Sequence, residues 1–215
     1  MLRTYEKIET IYNRDIDGSK KLLEGDWRNP TVEFLKDLDW VWEEKADGCN
    51  VRIFWDGYGI SFGGRTDKAN MPVPLVNRLN ELFSNETSMQ MFEQLFGQKE
   101  VILFGEGYGQ KIQGCGSRYI PDGVDFILFD VLIGDNYQPR ETVEQVAESF
   151  GLKVIPVVGI GPLEEAVWFV KQKPHSRIAK DETLVMEGVV CRPKVELRDR
   201  CGNRLIVKIK GRDFE

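Results

Sequence analysis

The sequence predicts an α+β fold with two sheets of antiparallel strands and helices outside them. Three observations predict it. Apolar and polar positions alternate with period two in runs spread from Trp40 to Ile209. Four apolar patterns at helical spacing are interleaved among those runs. Glycine, proline and Asp-Gly steps mark the boundaries.

Taken in order, residues 1–39 read as an irregular N-terminal cap segment, with a short strand or helix over 5–12 and a helical turn over 31–38. Trp40, Trp42 and Glu44 alternate with Val41, Glu43 and Lys45, giving a strand over 40–46. Val51, Ile53 and Trp55 alternate with Asn50, Arg52 and Phe54, giving another over 50–55. The Asp47-Gly48 step between them reads as a tight hairpin turn. Asp56-Gly57 reads as the next, leading to a strand over 58–64.

Pro74 opens a helix with Leu75, Val76, Leu79, Leu82 and Phe83 at helical spacing. A shorter helix over 88–96 stops at Gly97. A strand over 100–104 leads into GEGYG, read as a glycine-rich turn. Next come a strand over 125–133, a helix over 139–150, a strand over 152–158 and a helix over 162–172. Strands over 184–191 and 205–209 complete the chain.

The 215 residues, 41% of them hydrophobic, suit a single domain with an ample core. No apolar run approaches the ~20 residues of a membrane span, and MLRTYEKIET lacks signal-peptide character. A cytoplasmic protein is expected. Cys49, Cys115, Cys191 and Cys201 form no C-x-x-C pair, which argues for reduced thiols over a zinc knuckle. The single histidine, His175, removes histidine-pair phosphodiester chemistry and most Ser-His-Asp arrangements. A net charge of −6 argues against broad, non-specific nucleic-acid binding, although basic residues crowd the span from Arg192 to Arg212.

The absence of G-x-x-x-x-G-K-[ST] excludes a P-loop. Glu106, the second residue of GEGYG, would repel phosphate, and suits a sugar hydroxyl or a metal better. Lys45, Glu187, Lys208 and Lys210 are charged residues within β-patterned stretches, and Lys208 and Lys210, two apart, share a strand face. Taken singly, each is most simply a solvent-facing charge. Apolar neighbours on both sides of Glu187 weaken that reading, because a buried carboxylate needs a partner.

A lysine beside an acid and further lysines has a chemical use. At a pKa of ~10.4 only about one lysine in a thousand is a free amine at neutral pH, a deficit of roughly 4 kcal/mol. Neighbouring cations and partial burial restore the amine, and the same cations stabilise a phosphoryl group as charge develops on it.

In this order and spacing the residues resemble the covalent nucleotidyltransferase superfamily of polynucleotide ligases and mRNA capping enzymes. K-x-D-G is Lys45 to Gly48, and Glu106 in LFGEGYG matches the strand-borne acid. Phe129-Asp130 matches the aromatic-Asp motif, Glu187 to Val190 the E-G-V-V motif, and Lys208 to Lys210 the K-x-K motif. A lone K-x-D-G is weak; five motifs in order over about 40–214 are specific. E-K-x-D-G-x-N, Glu44 to Asn50, resembles ATP-dependent RNA ligases of the phage duplex-nick-sealing type, and Arg65 matches the arginine that follows.

The resemblance implies an adenylyltransferase fold with an ATP-grasp-like two-sheet core. It also implies that Lys45 attacks ATP to form lysyl–AMP. Lys208 and Lys210 hold the α-phosphate and favour the free amine. Glu187 supports the metal, magnesium or manganese, and the geometry of the lysine. Glu106 binds ribose hydroxyls, Phe129 stacks on adenine, and Glu44, Asn50 and Arg65 complete the nucleotide-binding set.

AMP would then pass to an RNA 5′-phosphate at an end or nick, as in RNA repair. The alternatives are a DNA ligase or GTP-using capping enzyme, and a non-catalytic RNA-end-binding module. Asn50 argues against a DNA ligase, which usually has arginine there. Family members usually carry a further domain beyond K-x-K. This sequence ends five residues after Lys210, so strand joining is expected to be weak unless a partner supplies that accessory domain.

Overall fold

The computed structural model describes residues 3–19 and 21–215. The chain begins with β1 (Glu9–Thr10), β2 (Tyr12–Arg14), β3 (Leu22–Trp27), α1 (Pro30–Phe34) and β4 (Trp40–Glu44). It continues through β5 (Cys49–Trp55), β6 (Ile60–Gly63), α2 (Val73–Phe83), α3 (Glu86–Phe96) and β7 (Val101–Gly109). Then come α4 (Gly116–Tyr119), β8 (Val124–Ile133), β9 (Asn136–Tyr137), α5 (Arg140–Ser149) and β10 (Lys153–Val154). The last elements are β11 (Val157–Gly161), α6 (Leu163–Lys171), β12 (Gly188–Pro193), β13 (Val207–Lys210) and a 3₁₀ turn over Gly211–Phe214. The fold is α+β.

The described chain divides into two compact units, named here by sequence position. The central unit takes residues 3–5, 47–155 and 179–181; the flanking unit takes 6–46, 156–178 and 182–215.

The central unit is built on a sheet of order β10-β8-β7-β5-β6, with β9 added against β8. Alternation sends Val51, Ile53, Leu103, Phe126 and Leu128 to one face, where they bury against Leu75, Leu79 and Phe83 of α2, Phe92 of α3 and Val143 of α5. Fully burying an apolar side chain of this size contributes about 1.5–3 kcal/mol. The expected turn at GEGYG is instead strand, the last five residues of β7. Its glycines serve packing: a Cβ at Gly105 would lie 2.3 Å from the Phe126 ring, and one at Gly107 2.3 Å from Leu75.

The flanking unit's sheet has the order β1-β13-β12-β4-β11. Trp40, Trp42, Val189, Cys191, Val207 and Ile209 form its covered face, packed with Leu163, Ala166, Val167 and Val170 of α6. Within the N-terminal segment expected as an irregular cap, Ile11, Tyr12, Leu22 and Val32 enter the same core and β1 adds a strand to the sheet.

Three further expectations are corrected. Strands β4 and β5 form no hairpin: β4 pairs β11 and β12, whereas β5 pairs β6 and β7. The strand over 152–158 is two strands, β10 and β11, in different sheets, separated by Ile155 and by Pro156, which has no N–H to donate. The sheets are not wholly antiparallel, because β1 runs parallel to β13 and β10 parallel to β8.

Candidate active site

In the flanking unit, strand pairing brings together three of the predicted residues. Strand β12 pairs on both sides, with Val189 opposite Glu44 and Gly188 opposite Lys210. The Lys45 N–H extends that ladder by donating to the Gly188 carbonyl at 2.9 Å. Gly188 has φ 151°, and a Cβ there would stand 2.0 Å from the Ile209 carbonyl oxygen, so only glycine lets the strands close. Glu187 lies just before β12 rather than inside it.

The Lys45 Nζ donates to Glu187 Oε2 at 2.7 Å, and the Lys210 Nζ to Oε1 of the same carboxylate at 2.5 Å. The side chains of Lys45, Lys210 and Glu187 are 23%, 14% and 14% exposed. Burial opposes ionisation of Glu187, but the charge of Lys45 and the hydrogen bonds from Lys210 and Lys45 outweigh it, so the carboxyl sits below its ordinary range. Lys208 is half-buried on the strand face that carries Lys210, paired in register with Val190. On that face too, Arg192 is tied to Glu43 at 2.5 Å.

Glu44 points elsewhere. It is 1% exposed and accepts the Ser176 hydroxyl and, at 2.7 Å, the Arg177 N–H. Burial raises its carboxyl above the ordinary range despite those bonds. Its role in this unit is to anchor the segment around Ser176.

In the central unit, Asn50, Glu106 and Ile127 stand side by side in register across β5, β7 and β8. Alternation turns their side chains away from the helix-covered face. Asn50 Oδ1 is buried without a hydrogen-bond partner. Leaving an acceptor so costs about 1–3 kcal/mol, and a ligand hydroxyl is the kind of donor it lacks.

Phe129 is the extra residue of a bulge in β8, where the register passes from Phe104↔Asp130 to Gly105↔Leu128. The ring of Tyr5 meets Phe129 edge-on at 5.1 Å, and its hydroxyl donates to Asp130 at 2.6 Å. Arg65 is exposed two residues beyond Gly63, the partner of Arg52, which puts it toward the Asn50 end of β5.

Sequence reasoning missed Tyr5, which no spacing singles out, and the close approach at Gly48. A Cβ on Gly48 would lie 2.2 Å from the Gly107 carbonyl oxygen and 2.8 Å from Glu106 Cγ. Gly48→Ala is therefore expected to cost about 2–3 kcal/mol, lowering the melting temperature by roughly 5–10 °C. Gly114→Ala, where a Cβ meets nothing within 4 Å, is the control and should melt like the parent. Equal melting of the two variants in a thermal scan would refute the close packing at Gly48.

Among the described residues no group of three His, Cys, Asp or Glu side chains is gathered for a metal. A magnesium ion bound together with nucleotide phosphates needs only one or two carboxylates. Glu187, kept ionised, fits that limited role.

Comparison with known proteins gives three findings. A family model described as RNA ligase matches residues 38–210. No curated protein matches the sequence. Among solved structures, one Naegleria gruberi RNA ligase mutant with ATP and Mn superposes with a TM-score of 0.67 at 16% identity, covering 97% of this chain and 56% of that one. Another, with AMP and Mn, gives 0.63 at 17% identity, covering 86% and 53%, and an apo mutant gives 0.62 at 19% identity, covering 85% and 52%. The chain thus spans about half the length of the solved structures it resembles.

Proposed function

The chain belongs to the RNA ligase family, and from that premise we propose that it is an ATP-dependent nucleotidyltransferase that forms lysyl–AMP at Lys45 and passes the AMP to RNA 5′-phosphate ends or nicks. The observation that carries this reading is the single carboxylate of Glu187 gripping both the K-x-D-G lysine and the second lysine of K-x-K.

In the first step the Lys45 amine bonds to the α-phosphorus of ATP, the bond to the β-phosphate oxygen breaks, and pyrophosphate leaves. Glu187 fixes the direction of the Lys45 side chain, while Lys208 and Lys210 present positive charge to the α-phosphate. Glu106 and Asn50 take ribose hydroxyls, Phe129 offers a face to adenine, and Arg65 reaches phosphate or sugar. Bound with ATP, magnesium would neutralise charge on the departing pyrophosphate. Glu187 would hold it, with phosphates and water completing its shell. A 3′-hydroxyl then displaces AMP from the activated RNA end.

The setting we propose is cytoplasmic. It suits four free cysteines, and among the described residues no helix is long and apolar enough to cross a membrane.

The test is incubation with labelled ATP and magnesium, followed by denaturing electrophoresis. A covalent adduct supports the reading; RNA binding without any adduct would favour an end-binding module instead. GTP in place of ATP distinguishes a capping-type enzyme.

Lys210→Ala, and likewise Lys208→Ala, should slow adduct formation by about 100-fold or more. With Lys210 gone, the Glu187 charge faces Lys45 alone and favours its ammonium over the amine. Part of the lost rate should therefore return at higher pH, and the pH–rate profile should move upward. An unmoved profile would leave these lysines with phosphate binding only.

A further inference from the structure

The segment that follows β7, QKIQGCGSRY, is absorbed by none of the motif roles. It nevertheless grips the two residues that directly follow Lys45 and Ala46. Gln113 Nε2 donates to the Gly48 carbonyl at 3.0 Å, the Cys115 thiol donates to Asp47 Oδ2 at 3.2 Å, and the Asp47 N–H donates to the Tyr119 hydroxyl at 3.3 Å. All of these groups lie in the central unit. We propose that this segment is a clasp, with Gln113 and Cys115 as positioning residues for lysyl–AMP formation. The proposal rests on the reading of Lys45 as the nucleophile.

The clasp is itself held rigidly. Ile112 is buried in the central core and Tyr119 is 1% exposed against Tyr108. The Gln110 N–H donates to the Gly123 carbonyl at 2.8 Å, and the Lys180 N–H to the Tyr119 carbonyl at 3.1 Å. Gly116 passes so close to the Gly109 carbonyl that a Cβ would stand 1.9 Å from it.

Its backbone is also strained. Lys111 and Gln113 have φ 62° and 58°, left-handed values that non-glycine residues adopt only at an energetic cost. Such strain persists only where the surroundings over-determine it. What the strained turn achieves is visible: the side chain of the exposed Gln113 reaches the Gly48 carbonyl.

The grip matters because Gly48 packs against the Gly107 carbonyl and Glu106. Fixing Asp47 and Gly48 sets the chain on the C-terminal side of the nucleophile and the spacing of Gly48 from Glu106. Neither Gln113 nor Cys115 is among the residues assigned to the nucleotide. Their loss should therefore act on the maximal rate and spare ATP affinity.

The experiment compares wild type, Gln113→Ala, Cys115→Ala, Cys115→Ser and the double alanine variant in single-turnover adenylylation across ATP concentrations. Each single alanine variant should lower the maximal rate by about 10–100-fold. The ATP concentration for half-maximal rate should stay within about threefold of wild type. Serine keeps a donor toward Asp47 and should recover most of the loss at position 115. Amide exchange of the peptide over 47–50 should quicken in the double variant while its melting temperature stays close to wild type.

Wild-type rates in the alanine variants would overturn the clasp, as would a loss confined to ATP affinity or a serine variant no better than alanine. Slower adenylylation with unchanged exchange over 47–50 would also overturn it. If wild type itself forms no adduct, the assignment of Lys45 fails first, and the clasp loses its purpose with it.

Discussion

Lys45→Arg should fold like the parent and carry no AMP. Arginine keeps a cation for the Glu187 carboxylate, which Lys45 now reaches at 2.7 Å, so the paired arrangement survives. It supplies no free amine, because a guanidinium stays protonated in proteins. The effect is thus on chemistry rather than on architecture, and the adduct should fall below detection, a loss of at least about 1,000-fold. Mass spectrometry of the wild type should find one AMP, on the peptide containing Lys45. Lys210 is the nearest competitor, since it shares the same carboxylate at 2.5 Å. AMP found there, or an adduct persisting in Lys45→Arg, would end the assignment.

Glu187→Gln should damage both rate and stability. The substitution leaves two largely buried ammonium groups with a neutral partner and removes the negative charge that offsets their mutual repulsion. A hydrogen bond to a charged group is worth about 1.5–3 kcal/mol, so a stability loss on the order of 2 kcal/mol is expected at neutral pH. Adenylylation should slow by about 100-fold, because both lysines lose their common anchor.

The pH dependence has a definite sign. The folded carboxyl lies below its unfolded value, despite burial, through the charge of Lys45 and the bond from Lys210. Its contribution is therefore complete above the unfolded value of about 4.3 and lost as pH falls through the lower folded value. Denaturant titrations of parent and variant should differ at pH 7 and converge in strong acid. A gap that stayed constant with pH would mean the carboxylate charge is not what stabilises the site.

The strands were legible because period-two alternation is a local property, and it marked β4, β5, β8 and β13 closely. Partnership was not legible. Asp47-Gly48 between two alternating runs has hairpin chemistry, yet β4 and β5 join different sheets, and nothing local encodes that choice. The glycines of GEGYG read as flexibility, whereas Gly105 and Gly107 are small because Phe126 and Leu75 fill the space beside them.

At the site, the shared face of Lys208 and Lys210 followed from alternation alone. The convergence of Lys45 with Glu187, 142 residues apart, needed the motif order to suggest it and the pairing of β12 on both sides to produce it. Gln113 and Cys115 leave no trace in the sequence, because their partners are a backbone carbonyl and an aspartate more than 60 residues away.

The parallel pairing of β1 with β13 has a consequence for synthesis on the ribosome. Glu9 is registered with Val207, so the flanking sheet joins residues made far apart in the order of synthesis. The central unit draws almost all of its residues from the continuous span 47–155 and can collapse while the chain is still growing. Until β12 and β13 are made, β1 and β4 wait without those partners in the sheet. Closing a loop of such length costs little more than closing a short one at equilibrium, since the penalty grows only with the logarithm of length. It does delay the event. Glu187 and Lys210 are also made well after Lys45, so Lys45 acquires its companions only once both have emerged. With Lys45 as the proposed nucleophile, the nascent chain stays chemically silent until β13 has been made.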